Sequence, residues 1–346
     1  VVSPAEATPF LLLNDMEDLQ KIFEACRTLF SEKRSFLLTT HVNPDGDALG
    51  SELALARYLV SLGKVVTIIN SDPTPSMYEF LDHANEITHF DQRKDAGVVE
   101  QVDVICVLDG NQLGRISSLE PHVRSSKAIK ICIDHHLDPE PFADFYVVDD
   151  RVASTGQLIY QLIRTMYKGR LPKEIADPLY VAIMTDTGSF RFAKTDGALH
   201  RIVADLIDCG ADPVLLYQQV YERVCPGRLQ LLGRILSELK IAHEGKVALL
   251  TVTRSMFEET QTSEADTDDF INHTLTLSGV QIGLMFTELD GFVKISFRSK
   301  GDISINELAK EFGGNGHKNA AGARVANATI GDLVPEVLRH AKQYII

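Results

Sequence analysis

Apolar residues at Leu19, Ile22, Phe23, Cys26, Leu29 and Phe30 recur at the spacing of a helix that buries one face. The run Phe36-Leu37-Leu38 follows and predicts a strand over 36–40. Leu49, Leu53, Ala56, Tyr58, Leu59 and Leu62 return to the helical period and stop at Gly63, after which 65–69 predicts the next strand. Two more strands are expected at 102–108 and 129–133. Strands apolar on both faces, alternating with helices, predict an α/β fold with a doubly wound, mainly parallel sheet. Further along, 175–184 is apolar and helix-like, 195–240 is helical with little strand character, and 247–252, 280–286 and 292–297 read as strands. The expected organisation is a catalytic domain over 16–194, a helical linker over 195–240 and a smaller α/β domain over 241–346, with the active site in the cleft.

Composition adds bounds. A chain of 346 residues exceeds what one hydrophobic core usually serves, and 45% hydrophobic residues suffice for two. With 34 Lys plus Arg against 48 Asp plus Glu, the formal charge of -14 would repel a long polyanion, so any nucleic-acid partner should be short. Cys26, Cys106, Cys132, Cys209 and Cys225 are scattered without a CxxC pair and read as reduced, mostly buried thiols. No apolar stretch approaches the ~20 residues that span a bilayer. Residues 1–15 lack the basic start of a secretory signal, so the expected location is cytoplasmic.

The chemistry gathers where predicted strands end, the place at which open α/β sheets bind ligands. His41, Asp45 and Asp47 follow the first strand, Asp109 follows 102–108, Asp134-His135-His136 follows 129–133, and Asp186 follows 175–184. Each cluster alone reads as turn or cap chemistry: Asn-Pro-Asp-Gly is an ordinary turn, and Asp commonly caps a helix. Together they would crowd like charges into one crevice unless cations occupied it. Carboxylates with a minority of imidazoles suit hard to borderline divalent ions, Mn²⁺ foremost and Mg²⁺ next. Two such ions need a bridging carboxylate, and Asp109, isolated at its own strand end, is the expected bridge. Asp45 and Asp47 flank Gly46 in what reads as a sharp turn, facing different ions from one loop. Downstream, the glycines of 313–322 let backbone N–H groups approach a phosphate, with Arg298, Ser299, His317 and Lys318 adding donors and charge. Read alone, those glycines would equally serve tight packing.

The order His41-x3-Asp45-x-Asp47, Asp109, Asp134-His135-His136, Asp186 resembles the DHH phosphoesterase superfamily. Gly313-Gly314-Asn315-Gly316-His317-x-x-Ala320-Ala321-Gly322 resembles the GGGHxxAAG signature of its DHHA1 domain, with Asn315 replacing the middle glycine. The resemblance spans 36–325 and is strongest to the nano-RNase and pAp-phosphatase group, the NrnA type. It implies one cation held by His41, Asp45 and Asp109, and a second held by Asp47, Asp109, His135 and Asp186. Asp134 and His136 would lie just outside, His136 reaching the scissile phosphate or leaving oxygen and Asp134 orienting an imidazole. Arg298, Ser299, Gly314, Gly316, His317 and Lys318 would bind substrate. The implied activity is metal-dependent hydrolysis of short oligoribonucleotides to mononucleotides, and of 3′-phosphoadenosine 5′-phosphate (pAp) to AMP. A cyclic-dinucleotide phosphodiesterase and a catalytically silent nucleotide-binding regulator are the alternatives. The expected partners are a short RNA, a dinucleotide or pAp, not a long duplex or a membrane, with room for a homodimer. Phe190 and Phe192, just after Asp186, read either as core or as a base-stacking surface.

Overall fold

The computed structural model describes residues 16–223 and 225–345, without the side chains of residues 16–18 and 317. The reading of residues 1–15 lies outside them. The chain divides into two compact units, Val1–Arg223 and Val224–Ile346.

The first unit follows α1 (Met16–Glu32), β1 (Ser35–Thr39), α2 (Gly46–Ser61), β2 (Val65–Asn70), β3 (Ile87–His89), α3 (Gln92–Gln101), β4 (Val104–Leu108), α4 (Glu120–Ser125), β5 (Ile129–Asp134), β6 (Phe145–Val148), α5 (Thr155–Met166), α6 (Lys173–Asp186), α7 (Gly197–Asp208) and α8 (Pro213–Tyr221). Its six strands run in the order β3-β2-β1-β4-β5-β6, every pairing parallel. Each central strand serves two cores because successive side chains point to opposite faces. Phe36, Leu38, Cys106 and Ile131 pack with α1, α2, α5 and α6, while Leu37, Ile105 and Val107 pack on the other face against Val99, Ile116 and Val123. That explains why the sequence showed unbroken apolar runs instead of alternation. Between β1 and β4 the strand order reverses, which opens the crevice where such sheets bind ligands.

The second unit contains α9 (Pro226–Ser237), β7 (Lys240–Ala242), β8 (Val247–Val252), α10 (Arg254–Thr260), α11 (Asn272–Leu275), β9 (Ile282–Leu289), β10 (Phe292–Ser299), α12 (Ile305–Glu311), β11 (Asn315–His317), β12 (Ala320–Ala326) and α13 (Ile330–Ala341). Its mixed sheet is ordered β11-β12-β10-β9-β8-β7, with only β8 and β9 parallel. Val247 and Leu249 join the core under α12 and α13, whereas Leu250 and Val252 join the core under α9 and α10.

The helical stretch 195–240 is shared between the units. Leu199, Ile202, Leu206, Leu216 and Val220 of α7 and α8 lie in the first unit's core, and Leu231 and Ile235 of α9 lie in the second's. Two local expectations need correcting. Residues 45–47 are a helix start, with Asp45 as N-cap and Asp47 in the first turn of α2, because the Asp45 carboxylate accepts the N–H groups of Asp47 and Ala48. Residues 313–322 form not a loop throughout but a β11–β12 hairpin, whose inner strand, β12, pairs with β10 and whose β11 forms the sheet edge. Cys26, Cys106, Cys132 and Cys209 are buried free thiols, and Cys225 is exposed. Among the described residues no helix is long and apolar enough to cross a membrane.

Candidate metal centre

Topology brings the chemistry together. His41 lies two residues past β1, Asp109 directly after β4, and Asp134 ends β5 with His135 and His136 behind it. Asp47 opens α2 and Asp186 closes α6, and these helices pack with almost no space between them. A Cβ at Gly50 would sit 2.3 Å from the Pro178 carbonyl, and one at Gly46 would sit 2.5 Å from Thr185 Oγ1. Only glycine lets the two helices bring their carboxylates side by side.

Asp109 occupies the middle. Its backbone is left-handed, with φ of 53°, a conformation that costs a non-glycine residue about 1–3 kcal/mol and is characteristic of functional sites. His41 donates from Nδ1 to the Val42 carbonyl at 2.8 Å and turns Nε2 toward Asp109 Oδ2 at 3.3 Å. His135 Nε2 faces three carboxylates at once: Asp186 at 3.3 Å, Asp109 at 3.7 Å and Asp47 at 3.8 Å. His136 Nδ1 lies 2.6 Å from Asp134 Oδ1, which also accepts the backbone N–H groups of His135 and His136. Three groups of side chains each hold ligand atoms within 4.8 Å of one another: His41, Asp45 and Asp109; Asp47, His135 and Asp186; and Asp109, Asp134, His135 and His136. The six residues expected to hold cations therefore converge: His41, His135 and Asp186 gather around buried Asp109 and Asp47, and Asp45 is more exposed.

The electrostatics test whether cations fit. Burial, followed by the charge of Asp109, pushes the Asp47 carboxyl well above the ordinary range, and burial with Asp45 and Asp109 does the same to Asp186. Burial opposes the charge on Asp109 too, but the His41 hydrogen bond and the surrounding imidazoles outweigh it and hold that carboxyl far below its usual value. For His136 burial favours the neutral ring, yet the Asp134 hydrogen bond and the charges of Asp109 and Asp134 raise it to about 9. Asp134 Oδ2 is buried without a hydrogen-bond partner among the described residues. Oxygen donors that repel one another into protonation, joined by a minority of imidazoles, are a donor set suited to divalent cations.

Sequence reasoning missed the scaffold around this set. The N–H groups of Thr155 and Gly156, at the start of α5, donate to the two oxygens of Asp47 at 2.7 and 2.8 Å, and Thr155 Oγ1 donates to Asp109 at 3.0 Å. Ser154 before a helical period marks the N-cap, but not what the helix end points at. Beneath β1, Asn70 donates to buried Glu52 at 2.8 Å and accepts the Thr40 N–H at 3.1 Å, fixing the strand end that carries His41. Burial pushes Glu52 up to about 8. Arg115, whose carbonyl accepts the Val42 N–H at 2.8 Å, also brings positive charge toward His41 and His136.

The expected substrate-binding residues sit in the second unit. Arg298 pairs in register with Ala320, and burial lowers its guanidinium somewhat against the opposing charges of Asp268 and Asp269. Buried Ser299 donates to the Ile303 carbonyl at 2.7 Å and accepts from Asn319 at 2.9 Å, so its hydroxyl is engaged within the fold. Lys318 pairs with Asp302 at 2.9 Å. Gly314 and Gly316 serve close packing: a Cβ would lie 2.2 Å from the Gly322 carbonyl or 2.4 Å from that of Ala320. His317 lies in β11, and its side chain is outside the described residues.

Comparison with known proteins matches residues 35–183 to the DHH family N-terminal domain and residues 244–346 to the DHHA1 domain. A protein of Thermus thermophilus named bifunctional oligoribonuclease and PAP phosphatase NrnA is 31% identical over 88% of this chain and 89% of its own. The Bacillus subtilis protein of the same name is 26% identical over 84% and 89%. The crystal structure of an exopolyphosphatase-related protein from Bacteroides fragilis superposes with a TM-score of 0.90 at 32% identity, covering 94% of this chain and 97% of that one. With both domain models matched in order and the relatives aligned along most of their length, the chain belongs to the DHH/DHHA1 phosphoesterase family, NrnA type.

Proposed function

We propose that this protein is a cytoplasmic, divalent-metal-dependent phosphoesterase that hydrolyses short oligoribonucleotides, dinucleotides above all, to mononucleotides, and pAp to AMP. The observation that carries the reading is the convergence of His41, Asp45, Asp47, Asp109, His135 and Asp186 at the carboxyl ends of the parallel sheet. The activity named for the Thermus thermophilus and Bacillus subtilis relatives supports the substrate class.

His41, Asp45 and Asp109 would hold one cation, and Asp47, Asp109, His135 and Asp186 the other, with Mn²⁺ the favoured ion. When bound, such a pair supplies a hydroxide nucleophile at neutral pH and polarises the phosphoryl oxygens. The protein's own groups do the rest. Asp109, ionised and fixed by Thr155, would be the carboxylate common to both sets. The amides of Thr155 and Gly156 keep Asp47 aimed. His136, anchored to Asp134 and biased by that carboxylate toward its cationic form, donates a proton or hydrogen bond to the phosphoryl or leaving oxygen. Arg298, Ser299, Gly314, Gly316, His317 and Lys318 would bind substrate, with Arg298 meeting one of its phosphates.

One panel tests this. Metal-stripped protein is given Mn²⁺ or Mg²⁺ and offered a linear dinucleotide, a cyclic dinucleotide, pAp, pyrophosphate and a longer RNA. The proposal expects the highest kcat/KM on the linear dinucleotide and pAp. Preference for the cyclic compound would transfer the assignment to a cyclic-dinucleotide phosphodiesterase, and tight dinucleotide binding without turnover would make the protein a regulator. Cleavage of pyrophosphate alone would overturn the substrate class.

A further inference from the structure

Directly after Asp186 the backbone takes an unusual path. Gly188, Ser189 and Phe190 are three consecutive left-handed residues, with φ of 56°, 59° and 65°, and two of them carry side chains. Buried Thr187 holds this path together. Its hydroxyl donates to the Ile183 carbonyl at 2.6 Å and accepts the Phe190 N–H at 3.0 Å, and its carbonyl accepts the N–H groups of Arg191 at 2.9 Å and Phe192 at 3.1 Å. Arg191 Nε closes the turn on the Gly188 carbonyl at 2.7 Å.

The turn separates the two phenylalanines that the sequence left undecided. Phe190 packs edge-on to Tyr180 at 5.8 Å and beside His200 at 6.0 Å, so it belongs to the core. Phe192 is 54% exposed, and its ring lies so close over Gly188 that a Cβ there would be 2.5 Å away. An exposed ring held over a glycine, at the end of a strained and fully hydrogen-bonded turn, is not explained by core packing. Lys194, two residues on, makes no ion pair among the described residues, and its charge acts on His135 and Asp186. In a chain of formal charge -14, an exposed aromatic on the turn that follows Asp186, flanked by Arg191 and by a Lys194 whose charge reaches that carboxylate, matches a flat, uncharged ring joined to an anion.

We propose that Phe192 is a stacking platform for one nucleobase of the substrate and Lys194 the cation that meets the phosphate of the same nucleotide. The first unit would then recognise a nucleotide as well as hydrolyse its ester, so base-free phosphoesters become poor substrates. This inference rests on the phosphoesterase reading above and deepens it by assigning a base site.

A cycle of variants and substrates tests it. Initial rates in Mn²⁺ are measured for wild type, Phe192→Ala, Phe192→Tyr and Lys194→Ala on a diadenylate and on the two analogues lacking one base or the other. For wild type, loss of the stacked base raises KM about tenfold, as does Phe192→Ala on the full substrate. The two losses overlap instead of multiplying, because they remove the same contact. Phe192→Tyr restores wild-type KM, and Lys194→Ala raises KM for the full substrate and both analogues alike. Multiplying losses, or a KM for Phe192→Ala equal to wild type, would overturn the platform. If wild type turned over neither dinucleotide nor pAp, the proposed activity would fall, and the platform would be judged separately by equilibrium binding of AMP against ribose 5-phosphate. A preference for AMP that Phe192→Ala abolishes supports it, and equal affinity overturns it.

Discussion

The two units make opposite use of small and charged residues. In the first, glycines at 46, 50 and 156 bring helices together so that carboxylates crowd, and two of the crowded groups, Asp47 and Asp186, are pushed toward protonation. In the second, Gly314 and Gly316 bring backbone onto backbone in the β11–β12 hairpin, while Lys318 and Ser299 are engaged by Asp302, Ile303 and Asn319. The first arrangement is electrostatically unsettled and asks for cations. The second is largely satisfied, which leaves Arg298 as its main candidate for an anionic ligand. Chemistry should therefore depend steeply on the first unit and recognition moderately on the second.

The largest effect expected is from Asp109→Ala, which removes the carboxylate common to both proposed cation sets. Its kcat/KM should fall by roughly 10⁴-fold or more, and metal analysis of the purified variant should show loss of both ions. Equal occupancy in wild type and variant would show that the bridge is misassigned. His136→Asn should cost about 10²-fold in kcat while metal content stays at the wild-type level; parallel loss of metal would place His136 among the ligands. Arg298→Ala should raise KM about tenfold with kcat nearly unchanged, as expected when ground-state binding is lost. A collapse of kcat instead would erase the contrast between the units.

The pH dependence sharpens the same contrast. Asp47 has a raised pKa in the folded, metal-free protein, so over the pH range above the unfolded value of about 3.9 the folded state keeps a proton that the unfolded state has released. Stability then falls as pH rises, by up to about 1.4 kcal/mol per pH unit until the folded group also ionises. Metal-free wild type should thus lose stability relative to Asp47→Asn between pH 4 and 7, measured by urea unfolding, and Mn²⁺ should bind more tightly as pH rises. A flat difference would mean that the carboxylate is not under repulsion. The smallest effect belongs to Lys318→Ala, because Lys318 is already engaged in an exposed, solvent-screened pair with Asp302; KM should rise only about twofold.

What the sequence disclosed follows from which signals are local. Strands β1, β4 and β5 were readable because burial on both faces over most of their length leaves continuous apolar runs, and their ends then pointed to His41, Asp109 and His135. Strands β3 and β7 are three residues long and partly exposed, so no periodicity marks them. The strand β12 begins Ala-Ala-Gly-Ala, with no β-branched residue in its first four positions, and is a strand because β10 pairs with it. Asp45 was read as a turn residue because an Asp before a glycine satisfies nearby N–H groups in a turn as it does at a helix start. The Thr155 and Gly156 amides on Asp47 join residues more than a hundred positions apart, and nothing in the local sequence announces such a contact. Phe190 and Phe192 differ only in which side of a strained turn they emerge from, and that depends on Thr187.

The central claim is that the strand ends of the parallel sheet seat a pair of cations sharing Asp109. Anomalous diffraction at the manganese edge, from crystals of metal-stripped protein soaked in Mn²⁺, tests it directly. The account predicts two peaks about 3.5–4 Å apart, one touching His41 and Asp45, the other Asp47, His135 and Asp186, with Asp109 touching both. No peak among these residues, or a single one that leaves Asp109 on one ion, would contradict it.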